Sequence, residues 1–312
     1  VLEIGPGLGI LTKRLAEQAG QVVAIEKDRK LIRVLYKLFK SKKNVKIIRG
    51  DILTINFNEF READFHKFPR DARNKLQLIE TDRNLLSRDY KVVANIPYYL
   101  TGKLLSTFLS SPDEGRMAGG QEGLRPSLMV LLLQKEVAQR IIAGPGQMSL
   151  LAVSVQFYAD PEIISFVSKE NFYPKPEVDS AIVKIAPLPN PPHRGEGNKK
   201  EFLPLEGGGE VGVIEEKQFF QLVKIGFSNK RKQLQNNLSV LNTINFHKFR
   251  EADFYEFRDD TRNKLKYIET HGNYKQVLFS IGLNPLCRAQ DLSLEDWGRL
   301  YNRLFQTRFD KK

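Results

Sequence analysis

The spacing of apolar and polar residues predicts alternating strands and helices in the first half of the chain. Short apolar runs are typical of buried strands, and apolar residues at helical spacing are typical of helices packed on a sheet. Predicted strands cover residues 1–4, 21–26, 45–48, 92–94, 128–133 and 180–185. Predicted helices cover residues 10–19 and 31–39, and a further helix begins within residues 137–142. This alternation favours a parallel, doubly wound α/β sheet.

The composition changes after the last predicted strand. Residues 187–214 are rich in Pro and Gly, which is typical of a linker or a low-complexity insert. Beyond them the pattern is helical, with a basic helix predicted at Gln218–Leu238 and another helix beginning near Ser293. We therefore predict an α/β domain at residues 1–186 and a smaller, all-α domain at residues 215–312.

Two copies of one sequence interrupt these domains as inserts, at about residues 54–88 and 243–275. The clearest match is Phe60-Arg61-Glu62-Ala63-Asp64-Phe65, which recurs as Phe249-Arg250-Glu251-Ala252-Asp253-Phe254. Two separated copies do not form a solenoid, because a solenoid requires adjacent repeats. The copies are either a duplicated RNA-contacting arm or a duplicated sequence that surface loops tolerate, and we favour the second interpretation.

Composition and charge exclude several kinds of site. The chain has 312 residues, 41% of them hydrophobic, and no apolar run is long enough to span a bilayer. Its one cysteine, Cys287, excludes an intramolecular disulfide, and none of the four His residues is paired at metal-ligand spacing. We therefore predict no bound metal, no membrane contact and a cytoplasmic location. The net charge of +12 favours a polyanionic partner, nucleic acid first and a membrane surface second.

A glycine-rich turn, Gly5-Pro6-Gly7-Leu8-Gly9, joins the first predicted strand to the first predicted helix. Glycines allow a backbone to approach a ligand closely, and we expect Gly5 and Gly7 to do so. The G-x-G-x-G spacing differs from the G-x-G-x-x-G of dinucleotide-binding turns. Glu3, just before the turn, is a poor neighbour for a pyrophosphate and a good one for the ammonium group of an amino acid. Alone, a glycine-rich turn is a weak signal.

Polar residues follow the next three strands. Glu26 can accept hydrogen bonds from ribose hydroxyls, and Asp51 can accept one from an adenine amine. In Asn95-Ile96-Pro97-Tyr98 the amide and backbone carbonyls can accept hydrogen bonds from an exocyclic amine, and Tyr98 can stack on a flat ring. Each acid alone could equally be a solvated strand end, and the tetrapeptide alone could be a turn. Their order at successive strand ends favours a ligand site at one edge of the sheet.

The motifs resemble those of the ribosomal RNA adenine dimethyltransferases, the small-subunit dimethyladenosine transferase group. The resemblance covers nearly the whole chain outside the inserts. It rests on Glu3-Ile4-Gly5-Pro6-Gly7-Leu8-Gly9, Gly50-Asp51, Val93-Ala94-Asn95-Ile96-Pro97-Tyr98-Tyr99, Gln134-Lys135-Glu136-Val137-Ala138, residues 172–180, Phe227-Ser228-Asn229-Lys230-Arg231-Lys232 and Arg288-Ala289-Gln290-Asp291-Leu292-Ser293. The sequence begins within a predicted strand and without Met, so we expect an N-terminally truncated fragment or a misassigned start.

The resemblance implies a Rossmann-like methyltransferase sheet with a smaller C-terminal all-α domain, and S-adenosylmethionine as the methyl donor. Glu26 would hold the ribose and Asp51 the adenine of this cofactor. The residues implied near its methionine part or its methyl group are Glu3, Gly5, Gly7 and Asn95.

The resemblance also implies a site for a target adenine. Asn95 and the backbone around Ile96 and Pro97 would receive the adenine N6, and Tyr98 and Phe172 would hold the base between their rings. Phe172 could otherwise be plain core packing. Stacking on aromatic side chains stabilises a base that has left its own stack by about 1–3 kcal/mol.

A partner follows from the same resemblance. Lys224, Lys230, Arg231 and Lys232 lie in a stretch without acids, and the family's C-terminal domain favours phosphate contacts over a solvated helix face. We predict a monomer that dimethylates adenosine N6 in small-subunit rRNA of immature subunits during ribosome biogenesis. The alternatives are a resistance-type methyltransferase of large-subunit rRNA, which the 288–292 motif disfavours, and a non-catalytic ribosome assembly factor.

Overall fold

The computed structural model describes residues 1–54, 90–97, 100–109, 125–188, 214, 216–243 and 273–305. The two inserts and the Pro- and Gly-rich segment predicted from the sequence lie almost entirely outside these residues, and so does Tyr98.

The chain divides into two compact units. The first comprises Val1–Ala138 and Ala159–Pro187, and the second comprises Gln139–Tyr158 and Leu188–Lys312. The domain bounds predicted from the sequence place residues 139–158 in the first domain, whereas the contacts of these residues place them in the second unit.

A seven-stranded sheet forms the centre of the first unit. Its strands are β1 (Leu2–Ile4), β2 (Val22–Glu26), β3 (Val45–Arg49), β4 (Lys91–Asn95), β5 (Leu128–Gln134), β6 (Ala159–Val167) and β7 (Ser180–Pro187). They lie in the order β3-β2-β1-β4-β5-β7-β6. β1 to β5 are parallel, so the carboxyl ends of these five strands meet at one edge of the sheet. All six predicted strands are confirmed, with ends that differ by at most two residues.

The predicted parallel arrangement holds for β1 to β5 and does not extend to β7, which runs antiparallel to both β5 and β6. β6 is a strand that the sequence pattern did not reveal. A bulge between Ile163 and Ser165 interrupts its alternation of exposed and buried positions, which removes the period-two signal. Between β6 and β7 lies a loop with one 3-10 turn, Lys169–Asn171, and no crossover helix, so a parallel connection cannot form.

Three of the described helices lie between parallel strands along the chain, and a fourth follows β5. They are α1 (Ile10–Gln18), α2 (Arg29–Phe39), α3 (Thr101–Leu109) and α4 (Lys135–Ile141). The Asp28 side chain caps α2 by accepting a hydrogen bond from Lys30 N at 2.6 Å. Leu35 and Phe39, one helical turn apart, pack against Ala24 and Ile47 of the sheet. This packing fixes the loop between β2 and α2, where the site begins.

The second unit is helical. It contains α5 (Leu150–Gln156), α6 (Glu216–Phe227), α7 (Leu234–Leu238), α8 (Tyr274–Ser280) and α9 (Leu294–Phe305), with 3-10 turns at Ser239–Thr243 and Ala289–Asp291. Its core includes the stacked rings of Phe157 and Phe219, and fully buried Trp297. A Cβ atom at Gly226 would lie 2.3 Å from the Trp297 ring, so α6 requires glycine there to approach α9. Within the described ranges, none of the helices combines the length and apolar character that a membrane crossing requires.

The continuous basic helix predicted at Gln218–Leu238 is wrong. The segment forms two helices, α6 and α7, joined by a turn that spans residues 228–233. Within the turn, Asn229 Oδ1 accepts a hydrogen bond from Arg231 N at 3.2 Å, and Asn229 O accepts one from Lys232 N at 3.1 Å. Asn side chains that bond to the backbone two residues on compete with helix formation.

Candidate cofactor and target-base site

The glycine turn lies at the carboxyl end of β1 and leaves open space above it. Gly5 and Gly7 have φ angles of 66° and 59°, a conformation that favours glycine. A Cβ atom at either position would meet no described atom within 4 Å. A Cβ atom at Gly9, in contrast, would lie 2.7 Å from the ring of Phe39, so this glycine allows α1 to pack against α2. Gly5 and Gly7 therefore border a space that a ligand can enter, whereas Gly9 serves packing.

Glu26, the last residue of β2, holds the glycine turn in place. Its Oε2 atom accepts a hydrogen bond from Gly7 N at 3.2 Å, and Oε1 accepts from Lys27 N at 2.8 Å and Asp28 N at 2.9 Å. A carboxylate offers about four acceptor positions, and three of them are filled by these backbone groups. Glu26 can therefore accept one further donor, such as a ribose hydroxyl, while it keeps the turn in position.

Glu3 lies in β1 beneath the glycine turn and is 1% exposed. Among the described residues, no well-aligned hydrogen bond reaches its Oε2 atom. Burial raises the pKa of the Glu3 carboxyl to about 7, and the nearby Thr12 offsets only part of this rise. A carboxyl group that titrates near neutral pH therefore lies under the turn.

Asp51 follows β3, and both of its carboxylate oxygens have partners. Oδ1 accepts a hydrogen bond from Leu53 N at 3.0 Å, and Oδ2 lies 3.0 Å from the Lys27 ammonium. The Leu53 N–H and the Lys27 ammonium lower the pKa of Asp51. Lys27 is a residue that the sequence analysis missed, although its place directly after Glu26 at a strand end was a usable signal.

Asn95 ends β4, the strand beside β1. It is exposed, Ile96 is 1% exposed and Pro97 is exposed again, so the buried Ile96 anchors a segment whose neighbours reach the surface. Pro97 O accepts a hydrogen bond from Leu100 N at 2.9 Å, immediately before α3. Tyr98 lies outside the described residues, so its stacking role stays a prediction.

Phe172 follows the 3-10 turn after β6 and is half-buried. The loop that carries it is tied to the end of β5, because Asp179 Oδ1 accepts from Lys169 N at 3.1 Å and Asp179 O accepts from Lys135 N at 3.0 Å. In the sheet, Asn95 pairs with Leu132 of β5, so the Phe172 loop and Asn95 lie at the same end of the sheet. Phe172 is therefore accessible in part, and its contact with a base stays a prediction.

The predicted RNA-contacting cations lie in the second unit and in two settings. Lys230, Arg231 and Lys232 are consecutive, exposed and carried by the turn between α6 and α7, whereas Lys224 is half-buried within α6. The buried side chain of Asn237 fixes this turn, because its Nδ2 atom donates to Gly226 O at 2.6 Å and to Asn229 O at 3.0 Å. The turn therefore presents three cations from a fixed backbone.

The part of the chain that the structure describes contains no cluster of metal-ligating side chains. No group of three or more His, Cys, Asp or Glu side chains there could hold a metal ion. The Cys287 thiol is buried, and burial raises its pKa to about 11, which disfavours the reactive thiolate.

Comparisons with known proteins identify relatives of this chain. The profile of the ribosomal RNA adenine dimethylase family matches residues 1–199. The chain is 35% identical over 312 residues to the ribosomal RNA small subunit methyltransferase A of Nostoc sp., which covers 97% of this chain and 87% of that relative. It is 34% identical over 304 residues to the protein of the same name from Dehalococcoides mccartyi, which covers 96% of this chain and 77% of that relative.

Two solved structures share the fold. A dimethyladenosine transferase from Plasmodium falciparum matches with a TM-score of 0.61 at 24% identity, over 96% of this chain and 87% of that chain. The 23S rRNA methyltransferase ErmE matches with a TM-score of 0.57 at 20% identity, over 97% of this chain and 89% of that chain. Both likenesses concern the fold alone, and they confirm the predicted Rossmann-like methyltransferase sheet with a helical C-terminal part.

Proposed function

Because the chain belongs to the ribosomal RNA adenine dimethylase family, we propose that it transfers methyl groups from S-adenosylmethionine to the N6 atoms of adenosines in small-subunit rRNA. The placement of Glu26, Asp51 and Asn95 at the carboxyl ends of three parallel strands carries this proposal. A sheet of this kind binds ligands beyond its carboxyl edge. We further propose that the protein acts as a cytoplasmic monomer on immature small subunits and forms N6,N6-dimethyladenosine.

The residues at the sheet edge fit this cofactor. The open space over Gly5 and Gly7 can accept the methionine part, the remaining acceptor position of Glu26 can take a ribose hydroxyl, and Asp51 can accept the adenine amine. When bound, the cofactor supplies an electrophilic methyl group on a sulfonium. Alignment of the attacking nitrogen with this group can supply much of the rate, so the protein's task is mainly positioning.

Asn95 is the residue that we assign to this positioning. Its amide oxygen and one backbone carbonyl of the Ile96–Pro97 segment accept the two hydrogen bonds of the adenine amine, which turns the N6 lone pair toward the methyl group. Phe172 offers a ring face to the base after it has left its stack. Asn95 is exposed, so the proton that N6 loses after transfer can pass to water and no strong general base is required.

The test is methyl transfer from labelled S-adenosylmethionine to immature small ribosomal subunits, with mass spectrometry to identify the modified nucleoside. We expect Asn95→Ala to abolish transfer and to leave the dissociation constant for S-adenosyl-L-homocysteine nearly unchanged. Asn284→Ala, which changes an exposed asparagine of the second unit, is the control and should keep activity.

Three outcomes separate the proposal from its alternatives. Label on small-subunit rRNA supports it. Label on large-subunit rRNA alone would identify a methyltransferase of the resistance type. Tight cofactor binding without label on any rRNA would identify a non-catalytic assembly factor.

A further inference from the structure

Lys27 forms an ion pair with Asp51 inside the proposed adenine subsite. The proposed function assigns no role to this ion pair. Lys27 directly follows Glu26, and its ammonium lies 3.0 Å from Asp51 Oδ2. The side chain of Lys27 is 78% exposed and that of Asp51 is 30% exposed. The pair joins the loops after β2 and β3, which are neighbouring parallel strands.

The ion pair engages the carboxylate that an adenine amine needs. The Leu53 N–H donates to Asp51 Oδ1 and the Lys27 ammonium donates to Oδ2, so each oxygen keeps one acceptor position for a ligand. An ammonium is a stronger hydrogen-bond donor than an uncharged amine, because it carries a full charge. An adenine amine therefore shares the Asp51 carboxylate with Lys27, and its hydrogen bond to a carboxylate whose charge is already partly neutralised is weaker.

The same ammonium changes which bases the subsite accepts. Asp51 alone offers only acceptors, so it favours the amine of adenine and repels the carbonyl oxygen that hypoxanthine carries at the same position. The Lys27 ammonium adds a donor at this place, and a donor can pair with that carbonyl. Acceptor and donor together make the subsite tolerant of both bases.

We infer that Lys27 is a specificity-determining residue of the cofactor subsite, which lowers the preference for an adenosine over an inosine moiety. The inference rests on the proposed function, because it takes Asp51 as the partner of the cofactor's base. Lys27 does not touch the reacting atoms, so its effect lies in binding and not in the chemical step.

The experiment compares equilibrium binding of S-adenosyl-L-homocysteine and S-inosyl-L-homocysteine to the full chain by calorimetry. Lys27→Met keeps the length of the side chain and removes its charge. We expect it to tighten the adenosyl compound about two- to fivefold, the range for loss of an exposed competing ion pair, and to weaken the inosyl compound. The dissociation constant of the inosyl compound divided by that of the adenosyl compound therefore rises.

Salt gives a second readout. High salt screens the exposed pair, so the wild type should bind the adenosyl compound more tightly as salt increases, toward the affinity of Lys27→Met. The variant should show no such gain.

Two further variants keep the test specific. Lys30→Met removes another exposed lysine near the start of α2. Its ratio of inosyl to adenosyl dissociation constants should equal that of the wild type. In an Asp51→Asn background, Lys27→Met should change the ratio less than it does alone, because the coupling between the two residues is then absent.

An unchanged ratio in Lys27→Met, or equal weakening of both compounds, overturns the inference and leaves the proposed function intact. If the wild type binds neither compound, the cofactor assignment fails and the inference fails with it. Thermal unfolding of each variant confirms that the fold is kept.

Discussion

Glu3 combines deep burial with a group that can carry charge. Its place before the glycine turn could be predicted from the sequence, but its burial could not, because burial depends on how α1 covers β1. Glu3 is 1% exposed, and burial raises the pKa of its carboxyl to about 7 from an ordinary value of 4.5. The folded protein therefore holds a proton that the unfolded chain releases between these two pH values. Folding stability must fall as pH rises through this window, and the full cost is present above pH 7.

We expect Glu3→Gln to flatten the pH dependence of stability. A shift of this size corresponds to about 3 kcal/mol, so the free energy of unfolding of the wild type should drop by up to that amount between about pH 5 and 8 relative to the variant. Urea denaturation at the two pH values measures the difference. Glu136→Gln, which removes an exposed carboxylate from α4, should behave like the wild type. Equal pH slopes for wild type and Glu3→Gln would contradict the burial of a charge at this site.

The turn between α6 and α7 could not be predicted from the spacing of apolar residues. The apolar spacing continues from one helix into the next, so the pattern predicted a single helix. The break depends on the Asn229 side chain and on the buried amide of Asn237, which lies on the next helix. The strand ends that carry Glu26, Asp51 and Asn95 could be predicted, because a polar residue after a short apolar run is a local signal. β6 could not, because its bulge removes the alternation.

The same turn gives a prediction about RNA binding. Changing Lys230, Arg231 and Lys232 together to Ala should leave stability nearly unchanged, because all three are exposed. If each contacts a phosphate, the slope of log affinity against log salt should become shallower by about 2–3. Filter binding of small-subunit rRNA at several salt concentrations measures the slope. A matched triple variant at the exposed residues Lys40, Lys42 and Lys43 should keep the wild-type slope, and an equal change in both triples would refute a specific role for the turn.

At the scale of the whole chain, the proposed cofactor residues and the proposed RNA-contacting cations lie in different compact units. The fold class could be predicted because its motifs lie in a fixed order along the chain. The assignment of residues 139–158 to the helical unit could not, because it depends on contacts with residues far away in the sequence, such as the hydrogen bond from Gly146 N to Gln290 O at 2.8 Å.

This separation predicts that cofactor binding and RNA binding can be lost independently. Glu26→Gln should weaken S-adenosyl-L-homocysteine about 10- to 100-fold, because it removes a charged acceptor that also holds the Gly7 N–H. When S-adenosyl-L-homocysteine is present at 100 times its wild-type dissociation constant, it should raise the free energy of unfolding by about 2.7 kcal/mol in the wild type and by about 1.4 kcal/mol or less in the variant. Thermal unfolding with and without ligand measures it. The affinity of Glu26→Gln for RNA should stay at the wild-type level. In Glu17→Gln, an exposed control on α1, both the RNA affinity and the stabilisation by S-adenosyl-L-homocysteine should stay at the wild-type level.

The bulge in β6 has a consequence for solubility. β6 is the last strand of the sheet, nine residues long, and it carries Ile164 and Phe166 with 53% and 54% of their surface exposed. A straight edge strand with such side chains is a template for pairing with other chains and for aggregation. The bulge at Ile163–Ser165 bends the strand, and the acids Asp160 and Glu162 precede it, so a second chain cannot align along its full length. We therefore expect the irregularity that hid this strand from sequence analysis to oppose aggregation.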